Sequence, residues 1–226
     1  MLEHGGALRT ALARYGLPLS DWLDLSTGIN PNGWPPPPII PSTVWQRLPE
    51  PDDGLETAAA AYYGTTRLLP VAGSQAAIQV LPLLRETGLV GVLNLSYAEH
   101  AHAWRRNGHQ VESLPVEALS AAVDRLDVLA LVHPNNPTAA RFPLNLLLDW
   151  RSQLAARGGW LVVDEAFIDA TPAESLANYA GLPGLIVLRS LGKFFGLAGV
   201  RVGFVLSGPA LLESLREQLG PWSLSG

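Results

Sequence analysis

The stretch WLVVDEAF, residues 160–167, decides how this chain is read. Four apolar residues run without alternation and end on Asp164 and Glu165. A strand with one wet face alternates apolar and polar residues, so an unbroken run belongs in a sheet covered on both faces. The same pattern recurs in LVGVLNL (89–95), LDVLALVHP (126–134), GLIVLRS (184–190) and VRVGFVLS (200–207). Between most of these runs lie helical patterns, notably PLNLLLDWRSQLAARGG (143–159). The alternation predicts an α/β fold: a mostly parallel central sheet with helices on both faces. Upstream, DGLETAAAAYYG (53–64) reads as a helix closed by Gly64. SQAAIQVLPLLRE (74–86) reads as another, N-capped by Ser74 and kinked at Pro82. STGINPNGWPPPPIIP (26–41) is too rich in Pro and Gly for regular structure and reads as an arm. The predicted division is an N-terminal arm over 1–41 and a large domain over 42–226.

With 226 residues, 48% of them hydrophobic, the chain can bury a sizeable core. The net charge is −5 and the arginines are scattered, which argues against nucleic acid as a partner. Cysteine is absent, so disulfides and thiolate metal sites are excluded, and no metal is expected. The opening MLEHGGALRTALARYG lacks the apolar stretch of a secretion signal, and no run is long enough to span a bilayer. The expectation is a cytoplasmic protein with no membrane partner.

Sites in open α/β sheets lie at the carboxyl ends of the strands. Three polar clusters fall there: AGSQ (72–75) before a helix, HPNNPT (133–138) after a strand, and VVDE (162–165). Each has a plain alternative: an N-cap, an Asn-Pro turn, and a solvent-facing carboxylate pair. A fourth cluster, SLGKFFGLAGVRVGF (190–204), holds Lys193, the sole lysine beside fourteen arginines. Arginine stays protonated, whereas a lysine in an apolar pocket can lose its proton and become a nucleophilic amine. A Walker phosphate loop is ruled out. Around Gly192-Lys193 its first glycine position is Val187 and its Ser/Thr position is Phe194. A G-x-G-x-x-G dinucleotide fingerprint is missing as well.

Taken together, the clusters match the needs of pyridoxal 5'-phosphate (PLP). That cofactor needs an amine for its aldehyde, an acid for its pyridine nitrogen, a donor for its phenolic oxygen, and donors with a cation for its phosphate. Lys193, Asp164, Asn136 and the group Ser74, Ser190 and Arg201 can supply these in turn.

The motif order across residues 72–204 resembles fold-type I PLP enzymes of the aspartate aminotransferase superfamily. Within it, HGG (4–6), WLDLSTGINPNGWP (22–35), YAEHAHAWRRNGH (97–109) and LGPWSLSG (219–226) resemble the L-threonine O-phosphate decarboxylase family of cobalamin biosynthesis. The resemblance implies that Lys193 forms the Schiff base with PLP and that Asp164 pairs with the pyridinium nitrogen. Asn136 would hydrogen-bond the phenolic oxygen and Tyr97 would stack on the ring. Gly73, Ser74, Gln75, Ser190 and Arg201 would hold the phosphate, with His4 and Asn30 near the substrate. The implied reaction converts L-threonine O-phosphate, a phosphorylated amino acid, to (R)-1-aminopropan-2-yl phosphate in a homodimer. Histidinol-phosphate aminotransferase is the alternative, and a non-catalytic PLP-binding module or a fragment is a second one. Three departures stand out. Phe167 occupies the place three residues after the aspartate where aminotransferases often carry tyrosine. Leu48 replaces the tyrosine of an R-Y-P motif. The small C-terminal domain, with its carboxylate-binding arginine, is expected to be missing.

Overall fold

The structure, a computed structural model, describes residues 2, 4–50 and 52–225. Seven strands form one sheet: β1 (Leu68–Val71), β2 (Leu89–Leu93), β3 (Gln110–Leu114), β4 (Val128–Val132), β5 (Trp160–Asp164), β6 (Leu185–Ser190) and β7 (Gly203–Ser207). Their order across the sheet is β1-β7-β6-β5-β4-β2-β3. Every pairing is parallel except those of β7, which runs antiparallel to both β1 and β6. The fold expected from WLVVDEAF and its counterparts is therefore present, in a mixed sheet.

Among the described residues, seven α-helices accompany the strands: α1 (Leu8–Tyr15), α2 (Leu55–Tyr63), α3 (Ser74–Val80), α4 (Ala98–Arg106), α5 (Leu119–Ala122), α6 (Leu144–Ala155) and α7 (Pro209–Leu219). Successive strand residues point to opposite faces, and the central strands fill both. Leu129, Leu131, Leu161, Val163, Leu185 and Val187 pack with Tyr63 of α2, Leu119 of α5 and Trp150 of α6. Val128, Ala130, Val162, Ile186 and Leu188 pack on the other face with Ile78 of α3, Trp104 of α4 and Leu215 of α7. This explains the unbroken apolar runs: each neighbouring pair of residues feeds two cores. Gly91 in β2 makes room for one of them, since a Cβ there would sit 2.5 Å from Leu126 Cδ1.

Strands β1 and β3 were not anticipated. Both are edge strands, where pairing to a single neighbour tolerates polar residues and proline. Pro70 sits in β1 and Glu112 in β3. Helix α2 ends as expected on Gly64, whose φ of 70° places it in the left-handed region. The expected kink at Pro82 is instead a change of helix type, α3 passing into a 3-10 turn over Leu81–Leu84. Ser74 proves to be the first helical residue, not the N-cap. Gly73 holds the cap position at φ 71°, and no side chain caps the helix. Among the described residues, no helix is long and apolar enough to cross a membrane.

The chain leaves β2 through α4 to β3 on one side. It returns through α5 to β4 on the other side of β2. The loops after β2 and β4 therefore diverge, and crevices form at such switch points. Because β7 is antiparallel, its first residues lie at the same edge of the sheet as the last residues of β6. That reversal brings residues 201–203 to the carboxyl ends of the parallel strands.

Candidate active site

A cleft opens at this edge. Gly73, Ser74 and Gln75 reach it from the end of β1, Tyr97 from the turn after β2, and Asn136 from the loop after β4. Asp164 ends β5, Ser190 ends β6, and Lys193 and Arg201 come from the loop between β6 and β7. Nine residues singled out in the sequence thus line one cavity. His4 and Asn30 do not line it, and their side chains are engaged elsewhere.

Asp164 is only 3% exposed and sits in the middle of the sheet, opposite Val132 of β4 and Leu188 of β6. Its Oδ1 accepts the Ala166 N–H at 3.1 Å, and its Oδ2 lies 3.1 Å from His100 Nε2. His100, 3% exposed on α4, was not identified from the sequence as a site residue. The available signal was spacing: His100 follows Tyr97 by three, which puts both on one side of the chain as it enters α4. Their rings meet edge to face at 6.2 Å.

Glu99 was also missed. It is 7% exposed, and its carboxylate lies 2.9 Å from His4 Nε2, 2.7 Å from Gln75 Nε2 and 2.9 Å from Gln79 Nε2. The Gln75 Oε1 accepts the Tyr97 hydroxyl at 3.1 Å. The Gln75 side chain therefore braces Tyr97, leaving its backbone N–H as the group free for an anion. His4 buttresses the same network. Burial, with Glu99 and Asp164 nearby, raises the Tyr97 phenol above its ordinary pKa and keeps it a hydrogen-bond donor.

Lys193 is half-buried. Its Nζ donates to Thr27 O at 2.7 Å and stands 5.6 Å from the centre of the Phe167 ring. Burial lowers its pKa; Asp164 opposes that shift, and Arg201 adds to it through like-charge repulsion. An amine so placed is more often neutral, and so more nucleophilic, than one in water. Arg201 is held in the left-handed region at φ 58°. Its guanidinium closes over Gly73, where a Cβ would lie 2.8 Å from Nη2. Ser190 Oγ accepts the Gly192 N–H at 3.1 Å and keeps its own proton to donate. Asn136 is exposed at the cleft mouth.

One end of the cleft is thus cationic and rich in donors: the first N–H groups of α3, the Ser190 hydroxyl and Arg201. The floor is a buried carboxylate, and an amine stands between them. This donor set suits a phosphorylated aromatic aldehyde with a basic ring nitrogen.

Comparison with known proteins agrees with that geometry. Residues 42–226 match the sequence model of the family described as aminotransferase class I and II. The threonine-phosphate decarboxylase of Pseudomonas aeruginosa is 60% identical over 227 residues, covering 100% of this chain and 68% of that protein. A histidinol-phosphate aminotransferase of Sodalis glossinidius is 38% identical over 115 residues, covering 50% of this chain and 31% of its own. The crystal structure of L-threonine-O-3-phosphate decarboxylase from Porphyromonas gingivalis superposes with a TM-score of 0.75 at 21% identity. It covers 89% of this chain and 67% of that one, a likeness of fold. The chain belongs to the class I and II aminotransferase family.

Proposed function

We propose that this chain is a PLP-dependent lyase that decarboxylates L-threonine O-phosphate to (R)-1-aminopropan-2-yl phosphate, a step of cobalamin biosynthesis. The observation that carries the reading is the 60% identity to a threonine-phosphate decarboxylase along the whole chain. The site supports it chemically: a sole lysine of lowered pKa shares a cleft with a buried carboxylate and an anion-binding end. Histidinol-phosphate aminotransferase is the weaker reading. Relatives of that name are less similar, 38% identical over 50% of the chain or 36% over 79% of it, and Phe167 offers no hydroxyl where aminotransferases often have one.

The residues fit the cofactor. The orphan donors of α3, Ser190 and Arg201 would take its phosphate, Asp164 its ring nitrogen, Asn136 its phenolic oxygen, and Lys193 its aldehyde. When bound, PLP supplies an electron-withdrawing ring that weakens a bond at the substrate Cα. Asp164, steadied by His100, would keep the ring nitrogen protonated. Tyr97, braced by Gln75 and Glu99, would cover one face of the ring and exclude water. Lys193 Nζ would carry the proton that replaces the departing carbon dioxide at the substrate Cα. Which bond at Cα breaks depends on how the substrate is oriented.

A homodimer is part of the proposal. The arm exposes large apolar side chains, Leu23 at 81%, Leu25 at 82% and Ile39 at 80%, and Trp45 just beyond it is 74% exposed, all of which a second copy would cover. The division into an arm over 1–41 and a large domain over 42–226 goes with this reading. The arm contains α1, none of whose residues is buried.

The test is an absorption spectrum of the chain with PLP beside Lys193→Ala, followed by carbon dioxide release from threonine phosphate and amino transfer from histidinol phosphate to a 2-oxo acid. A borohydride-sensitive band lost in the variant, with gas released from threonine phosphate and no amino transfer from histidinol phosphate, is expected. A band identical in both proteins refutes the role of Lys193. Amino transfer from histidinol phosphate, with no gas released from threonine phosphate, refutes the decarboxylase.

A further inference from the structure

Residues 26–34 form no helix or strand, yet they are joined closely to the lysine loop. The Asn30 N–H donates to Lys193 O at 3.0 Å, and the Trp34 N–H to Phe195 O at 2.8 Å. Asn30 Nδ2 donates to Phe194 O at 2.8 Å. Its Oδ1 accepts the Asn32 N–H at 2.9 Å. Both ends of one carboxamide are therefore used, one to shape the arm and one to hold the loop. Two glycines allow the approach. A Cβ at Gly33 would lie 2.4 Å from Phe195 O, and one at Gly196 would lie 2.9 Å from Asn30 O. Across the same contact, Lys193 Nζ donates to Thr27 O.

The loop between β6 and β7 has little to define its shape alone. It carries Gly192, Gly196 and Gly199 and a single 3-10 turn over Ala198–Val200. Glycine-rich backbone has many conformations to lose, so its order must come from what it packs against. The lysine side chain adds freely rotating bonds of its own.

We propose that the arm is a clamp on the lysine: Asn30 is a positioning residue that holds the backbone of Lys193–Phe195, and the Thr27 carbonyl seats the amine whenever it is free. This deepens the reading of Lys193 as the reactive amine and rests on it. It gives Asn30, which the family resemblance puts near the substrate, a hold on the lysine loop. Lys193 then has two stations, the cofactor and Thr27 O, and the arm sets where the second one lies.

The sole lysine makes the test direct. Trace acetic anhydride, applied to the full chain without cofactor or substrate, acylates one lysine, and mass spectrometry reads its rate against a lysine-containing reference peptide. Asn30→Ala and Gly33→Ala are each expected to raise the Lys193 rate about tenfold, the effect of losing one or two hydrogen bonds that hold the arm. Amide hydrogen exchange of residues 193–196 should accelerate by a similar factor. Unchanged labelling and exchange in folded variants overturn the clamp and return Asn30 to a substrate role, which raises KM alone. If a variant does not fold, the unaltered chain in mild urea decides. The Asn30 and Trp34 amides must lose protection before or together with the rise in Lys193 reactivity. Reactivity that rises while both amides stay protected overturns the proposal. Failure of the cofactor reading looks different: no PLP-dependent absorbance, with the labelling response intact.

Discussion

Behind the cleft lies a buried ionic cluster whose energetics can be worked out. Arg189, in β6 and 2% exposed, donates from Nη1 to Glu165 Oε2 at 3.1 Å and to Ser175 Oγ at 3.0 Å. Its Nη2 pairs with Asp169, and its guanidinium lies 4.6 Å from the centre of the Tyr63 ring. Glu165 is 0% exposed and Asp169 6%. Arg189→Met keeps the length of the side chain but leaves two buried carboxylates without their cation. Stranding a buried charge costs about 3–5 kcal/mol. Each kcal/mol moves Tm by roughly 2–4 °C in a domain of this size, so a drop of roughly 6–20 °C is expected. The loss depends on pH. Burial raises the Glu165 pKa from 4.5 to about 7, opposed by Arg189, the Leu176 N–H and Ser175. A folded pKa above the unfolded one gives stability that is full at low pH and fades as pH rises through the folded value. Without Arg189 the folded pKa climbs further, so variant and native chains differ most above about pH 7 and converge below it. Thermal melts near about pH 8.5 and about pH 6 should show the larger deficit at the higher pH. A deficit under about 2 °C at the higher pH, or one that widens on acidification, would refute the reasoning.

Other substitutions test other parts of the structure. Asp164→Asn keeps the shape of the cleft floor but removes its charge, and kcat should fall by roughly 10²–10³. An unchanged kcat would mean that the carboxylate does no electrostatic work. Gly73→Ala forces a side chain into a backbone at φ 71° and against the Arg201 guanidinium. PLP affinity, read by fluorescence titration, should weaken at least about tenfold through loss of a charged hydrogen bond, and unaltered affinity would exclude the anion-binding role of this end. Trp104→Ala empties a site 1% exposed between α4 and the sheet, next to the His109 ring at 4.6 Å. Urea denaturation should register a loss of about 3–5 kcal/mol; a loss below about 1 kcal/mol would mean that the cavity collapses without cost.

Much of the candidate site was legible in the chain because its residues sit at the ends of apolar runs, where strand and loop chemistry change abruptly. Asp164 after WLVV and Ser190 after LIVLR are of this kind. Lys193 stood out for a different reason, as the single amine in a chain that otherwise uses guanidinium. His100 and Glu99 gave no such signal. They lie within a helix whose charged pattern reads as a solvated face, yet both are buried, because α4 turns that face toward Asp164 and Gln75.

What the sequence determined by itself is the covered sheet, the motifs at its carboxyl edge and the chemistry of a lone lysine. These follow from local pattern: hydrophobic periodicity, turn residues and side-chain pKa. What only the tertiary structure decided is direction and long-range contact. The antiparallel run of β7 carries Arg201 back to the cleft beside Gly73, although 128 positions separate the two in the chain. The arm places Thr27 O on Lys193 Nζ across 166 positions. Such contacts depend on strand order, on backbone hydrogen bonds between distant loops and on glycines that permit close approach. No local window of sequence encodes these, because each needs two segments that meet only once the sheet has formed.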